Sequence, residues 1–428
     1  VARGNWYRLD NIGKFYSAQA GSSAQTVFRC VATLADDIDG DILQHALNST
    51  VYSFPSFNVC LRSGMFWRYL EQSEHAPVVT EENLPICFGL HVDAKSILFR
   101  VTYYRTRINL EVSHIVSDGR GTLSFFKTLV TKYVQERYAT GDVPNAYDGS
   151  DSQKSENSFD KYYEKGKAGS SSAPKVFRIP GWRDASDPTF MEYHLSTAGV
   201  LDLAHRYDVS MTSLVIAAAI CAIRAEMPAR ERGRAIRLDI PVDLRRFFAS
   251  ATIKNFFGLA YVTYVPGADD EPLEDVAAQV QAQIREATQP EALKARMNHM
   301  IALEKNPFLR VAPLFLKDFV LDIANRVETR KTTMTVSNLG PIVFPDKIAH
   351  YLRDIDVMTS TTGMSFVLCS FGDDLSIGIS SIYLDPNAIK NFCRIFSEQG
   401  IEGRINSNRT HERRLAERAA TGRKADES

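Results

Sequence analysis

The sequence predicts an α/β protein built in two lobes. Three observations carry this reading. Runs with period-two apolar alternation stand beside runs with three- and four-residue apolar spacing. The 428 residues, 44% of them hydrophobic, supply material for a sizeable core. One polar stretch, residues 141–175, divides the chain, rich in Ser, Gly, Asp and Lys and poor in aliphatics.

Along the first part, a helix is expected near residues 39–52, before the Phe54-Pro55 break. The aromatic run MFWRYLE, 65–71, reads as a strand. ILFRVTYYR (97–105) and INLEVSH (108–114) read as a hairpin turning at Thr106-Arg107. Beyond Asp118-Gly119, residues 121–138 place Leu123, Phe126, Leu129, Val130, Tyr133 and Val134 at helical intervals. The second part offers an apolar helix at 211–226, a strand at 235–242, a charged helix at 272–288, strand-rich sequence from 332 to 384 and a helix at 386–399. The expected boundaries are therefore 1–165 for one lobe and 166–400 for the other, with 141–175 as the crossover and 401–428 as a polar, mobile tail.

Composition removes several classes of function. A net charge of -1 gives no reason to expect nucleic-acid or membrane-surface binding. No apolar run is long enough to span a bilayer, and residues 1–20 lack the order of a signal peptide, so a cytoplasmic location is expected. The chain begins with Val1 rather than Met. Cys30, Cys60, Cys87, Cys221, Cys369 and Cys393 are scattered without a Cys-x-x-Cys pair, which favours free, mostly buried thiols. There is no phosphate loop, dinucleotide turn, nucleophile elbow or His-Glu-x-x-His helix, so no resident cofactor and no metal are expected.

The chemistry is concentrated in SHIVSDG, 113–119. A lone His-x-x-x-Asp arises often by chance, but here it falls between a strand and a helix. His114 at that corner reads as a positioned general base, since neutral imidazole accepts protons near pH 7. Asp118 reads as a loop-holding carboxylate, and Gly119 as the residue that lets the chain turn and leaves room for substrate. The other histidines, His45, His75, His91, His194, His205, His299, His350 and His411, have no partner motif and read as surface or structural.

SHIVSDG is followed by IPVDLRR (240–246), NFFG (255–258), VSNLG (336–340) and SFVLCSFGDDLSIGISSIYLD (365–385). In this order the blocks resemble the chloramphenicol-acetyltransferase-like superfamily, which includes alcohol acetyltransferases, polyketide-associated acyltransferases and condensation domains of peptide synthetases. The resemblance covers roughly residues 7–398. LDNIGKFYSAQ and FPSFNVCLRSGMFWRYLE look most like stand-alone alcohol acetyltransferases. Condensation domains usually carry two adjacent histidines, whereas Ser113 stands here, and the Asp-Phe-Gly-Trp-Gly block of the superfamily's plant acyl-CoA-dependent acyltransferases has as its nearest counterpart SFGDD, 370–374, without a tryptophan.

The resemblance implies two similar lobes, each a mixed sheet flanked by helices, with a tunnel where they meet. It implies an acyltransferase that moves an acyl group, acetyl first among them, from a CoA thioester to a hydroxyl acceptor. His114 would take the proton, and Asp118 would pair with an arginine of the second lobe. Arg245 holds the matching position, with Arg246, Arg120 and Arg237 as competitors. Ser337 and Asn338 would meet the oxyanion, the competing reading being a polar strand-end turn before Gly340-Pro341; Gly119 could add a backbone N–H. Acetyl-CoA would be a co-substrate rather than a bound cofactor, and the protein is expected to act as a monomer. The alternatives are a condensation-type or polyketide-associated enzyme using an acyl carrier protein or an amine acceptor, and a non-catalytic binding protein of the same fold.

Overall fold

The structure, a computed structural model, describes residues 5–19, 26–88, 90, 92–143, 150–164, 174–267, 270–305 and 312–409. Its strands are β1 (Trp6–Arg8), β2 (Val27–Leu34), β3 (Val59–Ser63), β4 (Arg68–Gln72), β5 (Thr80–Glu81), β6 (Phe99–Tyr104), β7 (Arg107–Ser113), β8 (Thr189–Ser196), β9 (Ile236–Asp243), β10 (Phe257–Tyr264), β11 (Met334–Pro341), β12 (Leu352–Thr359), β13 (Met364–Phe371), β14 (Asp374–Ser381) and β15 (Gly403–Ser407). They form a mixed sheet in the order β12-β2-β7-β6-β5, a mixed sheet in the order β10-β9-β11-β13-β14-β8-β15, and a small sheet β1-β4-β3. Helices flank both large sheets, as the two-lobe α/β reading anticipated.

The helices follow their apolar stripes. Helix α1 spans Asn11–Ala18, α2 Gly40–Ser53 and α3 Gly119–Tyr138. All six residues that mark the period of α3, from Leu123 to Val134, are buried in the first lobe's core. In the second lobe, Met211–Ala225 is apolar on every side and packs against both Leu273–Ala287 and Asn387–Glu398. Among the described residues no single helix is long and apolar enough to cross a membrane.

Several expectations need correction. The β6–β7 hairpin turns at Arg105-Thr106, one residue earlier than expected, with Arg105 in the left-handed region at φ 50°. The aromatic run begins as a turn: β4 starts at Arg68, and Met65, Phe66 and Trp67 are exposed between β3 and β4. Residues 141–175 are not a uniform linker, because short helices form at Asp151–Lys154 and Ser158–Tyr162, and Phe159 is buried edge-on against Phe256 with centroids 5.2 Å apart. The tail after 400 is not wholly free either. Gly403–Ser407 adds β15 to the edge of the large sheet beside β8, while 410–428 lie outside the described residues.

The division at residue 166 also fails to separate the sheets. β12, from the second half, pairs along its length with β2 and completes the first lobe's sheet. It crosses β14 so closely that a Cβ at Gly378 would overlap the Val357 carbonyl. Alternating apolar residues announce a strand but not which sheet it joins.

Candidate active site

A cavity of about 1840 Å³ runs between the two halves, and His114 lines it. Its walls include α1, the start of α3, and the cavity-facing residues of β9, β10 and β11. The strand β7 delivers His114 one residue past its last ladder position, where its backbone N–H still donates to Thr26 at 3.0 Å. Tyr16 of α1 stacks on the imidazole at 4.3 Å, and Phe28 and Phe257 stand at 4.6 and 5.5 Å.

The protonation of His114 follows from Asn255. The Asn255 Nδ2 amide donates to the Asp10 carboxylate at 3.1 Å and to the His114 carbonyl at 3.0 Å. Its Oδ1 is therefore the atom 2.8 Å from His114 Nδ1, and that nitrogen carries the proton. Nε2 keeps its lone pair. Burial pushes the imidazole pKa down to about 4, against the opposing pull of Asn255 and Asp118, so the ring is neutral near pH 7. Asp10 is held in turn by the Gly13 N–H at 2.6 Å, and burial raises its carboxyl to about 6.

Asp118 is occupied on every side. It caps α3 by accepting from the Gly121 N–H at 2.9 Å, and it accepts from the Phe256 N–H at 2.8 Å. Arg245 adds a two-pronged pair, 2.9 Å to Oδ2 and 3.3 Å to Oδ1. The remaining Arg245 donors reach Asp243 and the carbonyls of Thr252 and Lys254. Thus α3 is bolted to the segment 252–256, which also carries Asn255. The competing arginines Arg120, Arg237 and Arg246 all line the cavity instead, Arg120 at an exposed position.

Gly119 is the first residue of α3, and its φ is not among the positive ones, so it is not needed for a turn. A Cβ there would sit 2.8 Å from the Leu339 side chain, whereas one at Gly121 would collide with the Ile253 carbonyl and Ser117. Gly121 is the sterically required glycine, and sequence reasoning missed it. Ser337 lines the cavity, and its hydroxyl has no hydrogen-bond partner among the described residues. Asn338 lines it too, but its amide donates to Thr212 at 2.7 Å and accepts from the Gly340 N–H at 2.7 Å. That is the strand-end turn considered above.

Asp10, Tyr16 and Asn255 were also missed as site residues, although all three fall in blocks that carried the resemblance. Glu192, His194 and Asp356 come close enough to share a metal ion, but Arg107 donates to both Glu192 and Asp356 within the group. The cluster lies outside the cavity lining and reads as an ion-pair network.

Residues 194–379 match the family model described as phthiocerol/phthiodiolone dimycocerosyl transferase C-terminus. No curated protein matches the chain. Among solved structures, polyketide synthase associated protein 5 from Mycobacterium tuberculosis is similar, at 15% identity and TM-score 0.58 over 91% of this chain and 96% of that one. The first condensation domain of the CDA synthetase gives 13% and 0.62 over 93% and 96%. Trichothecene 15-O-acetyltransferase from Fusarium sporotrichioides gives 11% and 0.60 over 93% and 95%.

Proposed function

We propose that the chain is a member of the chloramphenicol-acetyltransferase-like and condensation-domain superfamily, and within it an O-acyltransferase that moves an acyl group from a CoA thioester to a hydroxyl, a reading supported by the family model matched over residues 194–379 and by the likeness in fold. One observation carries the proposal: His114 is neutral, held as the Nδ1–H tautomer by Asn255, and lines the cavity with Nε2 unprotonated. A hydroxyl needs its proton drawn away to attack a thioester well, and this nitrogen is placed to take it.

In the proposed reaction Nε2 accepts the hydroxyl proton as the oxygen attacks the thioester carbonyl. The negative charge of the tetrahedral intermediate falls on the former carbonyl oxygen, for which the Ser337 hydroxyl is the candidate donor. Collapse breaks the C–S bond, and the imidazolium returns the proton to the thiolate. Neither a covalent enzyme intermediate nor a net change in protonation results. Asp118 and Arg245 act as positioning residues, fixing the corner on which His114 stands.

The test is thiol release from a panel of acyl-CoA donors with alcohol and amine acceptors. Release that depends on an alcohol and falls by about 10²-fold or more in His114→Ala is expected. A protein that ignores every CoA thioester but consumes an acylated carrier protein would instead be condensation-type, a reading favoured by the likeness to the condensation domain. Binding without turnover of any donor would mark a non-catalytic relative.

A further inference from the structure

Alternate residues of β9, Arg237, Asp239, Pro241 and Asp243, line the cavity, while Ile236, Leu238 and Ile240 enter the core of the second lobe. The ladder sets Phe257, Leu259 and Tyr261 of β10 opposite Asp243, Pro241 and Asp239. Phe257 is the one beside His114. From the histidine outward the wall therefore runs through Phe257, then Leu259 with Pro241, then Tyr261 with Asp239, and then Arg237. An apolar stretch separates the base from a polar end.

Arg237 at that end is only 8% exposed, and its guanidinium lies over the Tyr261 ring, 4.1 Å from the centroid. Its Nη1 is buried with no hydrogen-bond partner among the described residues. Asp239, two residues along the same face, makes no hydrogen bond to it among the described residues; one of its oxygens accepts instead from the Thr335 hydroxyl, at 2.9 or 3.1 Å, and it meets the guanidinium through its charge alone. Leaving a buried charged donor unpaired is unfavourable, so a ligand that brings an acceptor to it gains affinity.

We infer that Arg237 anchors a carboxylate at the far end of an extended, otherwise apolar substrate, a long-chain hydroxy acid whose hydroxyl reaches His114. The inference rests on the proposed reading of the cavity for which end of that molecule reacts. Stacked on Tyr261, the guanidinium is level with the Asp239 row, four residues from Asp243, or about 13 Å along the strand. A short hydroxy acid cannot span that. A single arginine suits one planar negative charge, while a dianionic phosphate would meet about twice the repulsion that a carboxylate meets from Asp239 and from Glu328, which accepts from the Tyr261 hydroxyl at 3.3 Å.

The experiment is isothermal titration of the full chain with an ω-hydroxy fatty acid and with two neutral counterparts of the same chain length, its methyl ester and its primary amide, the amide matching the carboxylate in size. The unmodified protein is expected to prefer the acid to both by about tenfold or more. Arg237→Gln should abolish that preference, and Arg237→Lys should keep part of it. Equal affinity for the acid and either counterpart, or a preference that survives Arg237→Gln, overturns the inference. CoA and pantetheine are titrated alongside: if Arg237→Gln weakens CoA alone and leaves the acid unchanged, the residue serves a phosphate and the inference falls. Should Arg237→Gln fail to fold, the comparison of the acid with its two counterparts on the unmodified protein decides. No turnover is needed, so absent thiol release with intact acid preference would sink the acyl-transfer reading and not the carboxylate site.

Discussion

Asn255 decides which nitrogen of His114 is free, because its own amide is committed to Asp10 and to the His114 carbonyl and only its oxygen remains for Nδ1. Asn255→Ala removes that acceptor and lets the proton move to Nε2, the nitrogen needed as base. On the proposed mechanism kcat should fall by about 10²-fold with KM little changed. The imidazole should still stay neutral above about pH 4, since burial is the leading cause of its lowered pKa. A loss confined to KM, measured in steady state with the best donor, would exclude the tautomer role. The histidine was legible in the sequence because its signal is local: a strand, a corner and a helix within a few residues. Asn255 was not, being 141 residues away, where nothing in NFFG says that an amide oxygen rather than a backbone group meets the ring.

At the scale of elements, the start of α3 is held against the segment 252–256 by the Asp118–Arg245 pair, the Asp118–Phe256 N–H bond and the close approach at Gly121. The glycines 119 and 121 should therefore respond differently to alanine. At Gly121 the obstacle is the Ile253 backbone, which cannot rotate away, so Gly121→Ala should destabilise by about 2 kcal/mol or more and displace the corner carrying His114. At Gly119 the obstacle is the end of the Leu339 side chain, and Gly119→Ala should cost less than about 1 kcal/mol. Urea unfolding of both variants checks this; equal losses would mean that the approach at Gly121 relaxes. Helices with long apolar stripes, such as 211–225, were placed from sequence to within a residue or two. Turns and edge strands were not. MFWRYLE looked like a strand because its aromatics carry high β propensity, yet Met65 to Trp67 form a turn, and β15 is too polar to announce itself.

At the scale of the molecule, the two-lobe α/β plan was legible from alternating periods and block order, but the exchange of β12 between halves was not. That exchange brings Asp356 of β12 against Glu192 and His194 of β8 and Ser376 of β14, making a buried polar cluster where the two sheets cross. Burial, reinforced by Glu192, raises the Asp356 carboxyl to about 7. Burial opposes protonation of His194, but Asp374 and Asp356 outweigh it and raise its pKa. A group raised on folding gives stability that is fully present below its unfolded pKa and lost as pH rises through the folded one. Asp10 and Asp239, each raised by burial to about 6, act in the same direction. His114 acts oppositely, but its contribution is half titrated at its ordinary value of 6.5 and nearly complete by about pH 7.5, so it offsets the others only in part. Stability should therefore fall between pH 6 and pH 8, Asp356 alone contributing about 1 kcal/mol of the loss. Asp356→Asn holds a neutral group of similar shape at that position and should flatten the curve over this interval. Urea unfolding of both proteins across the range provides the measurement, and identical slopes would show that Asp356 is ionised in the folded protein throughout, its burial outweighed by Arg107 and Ser376.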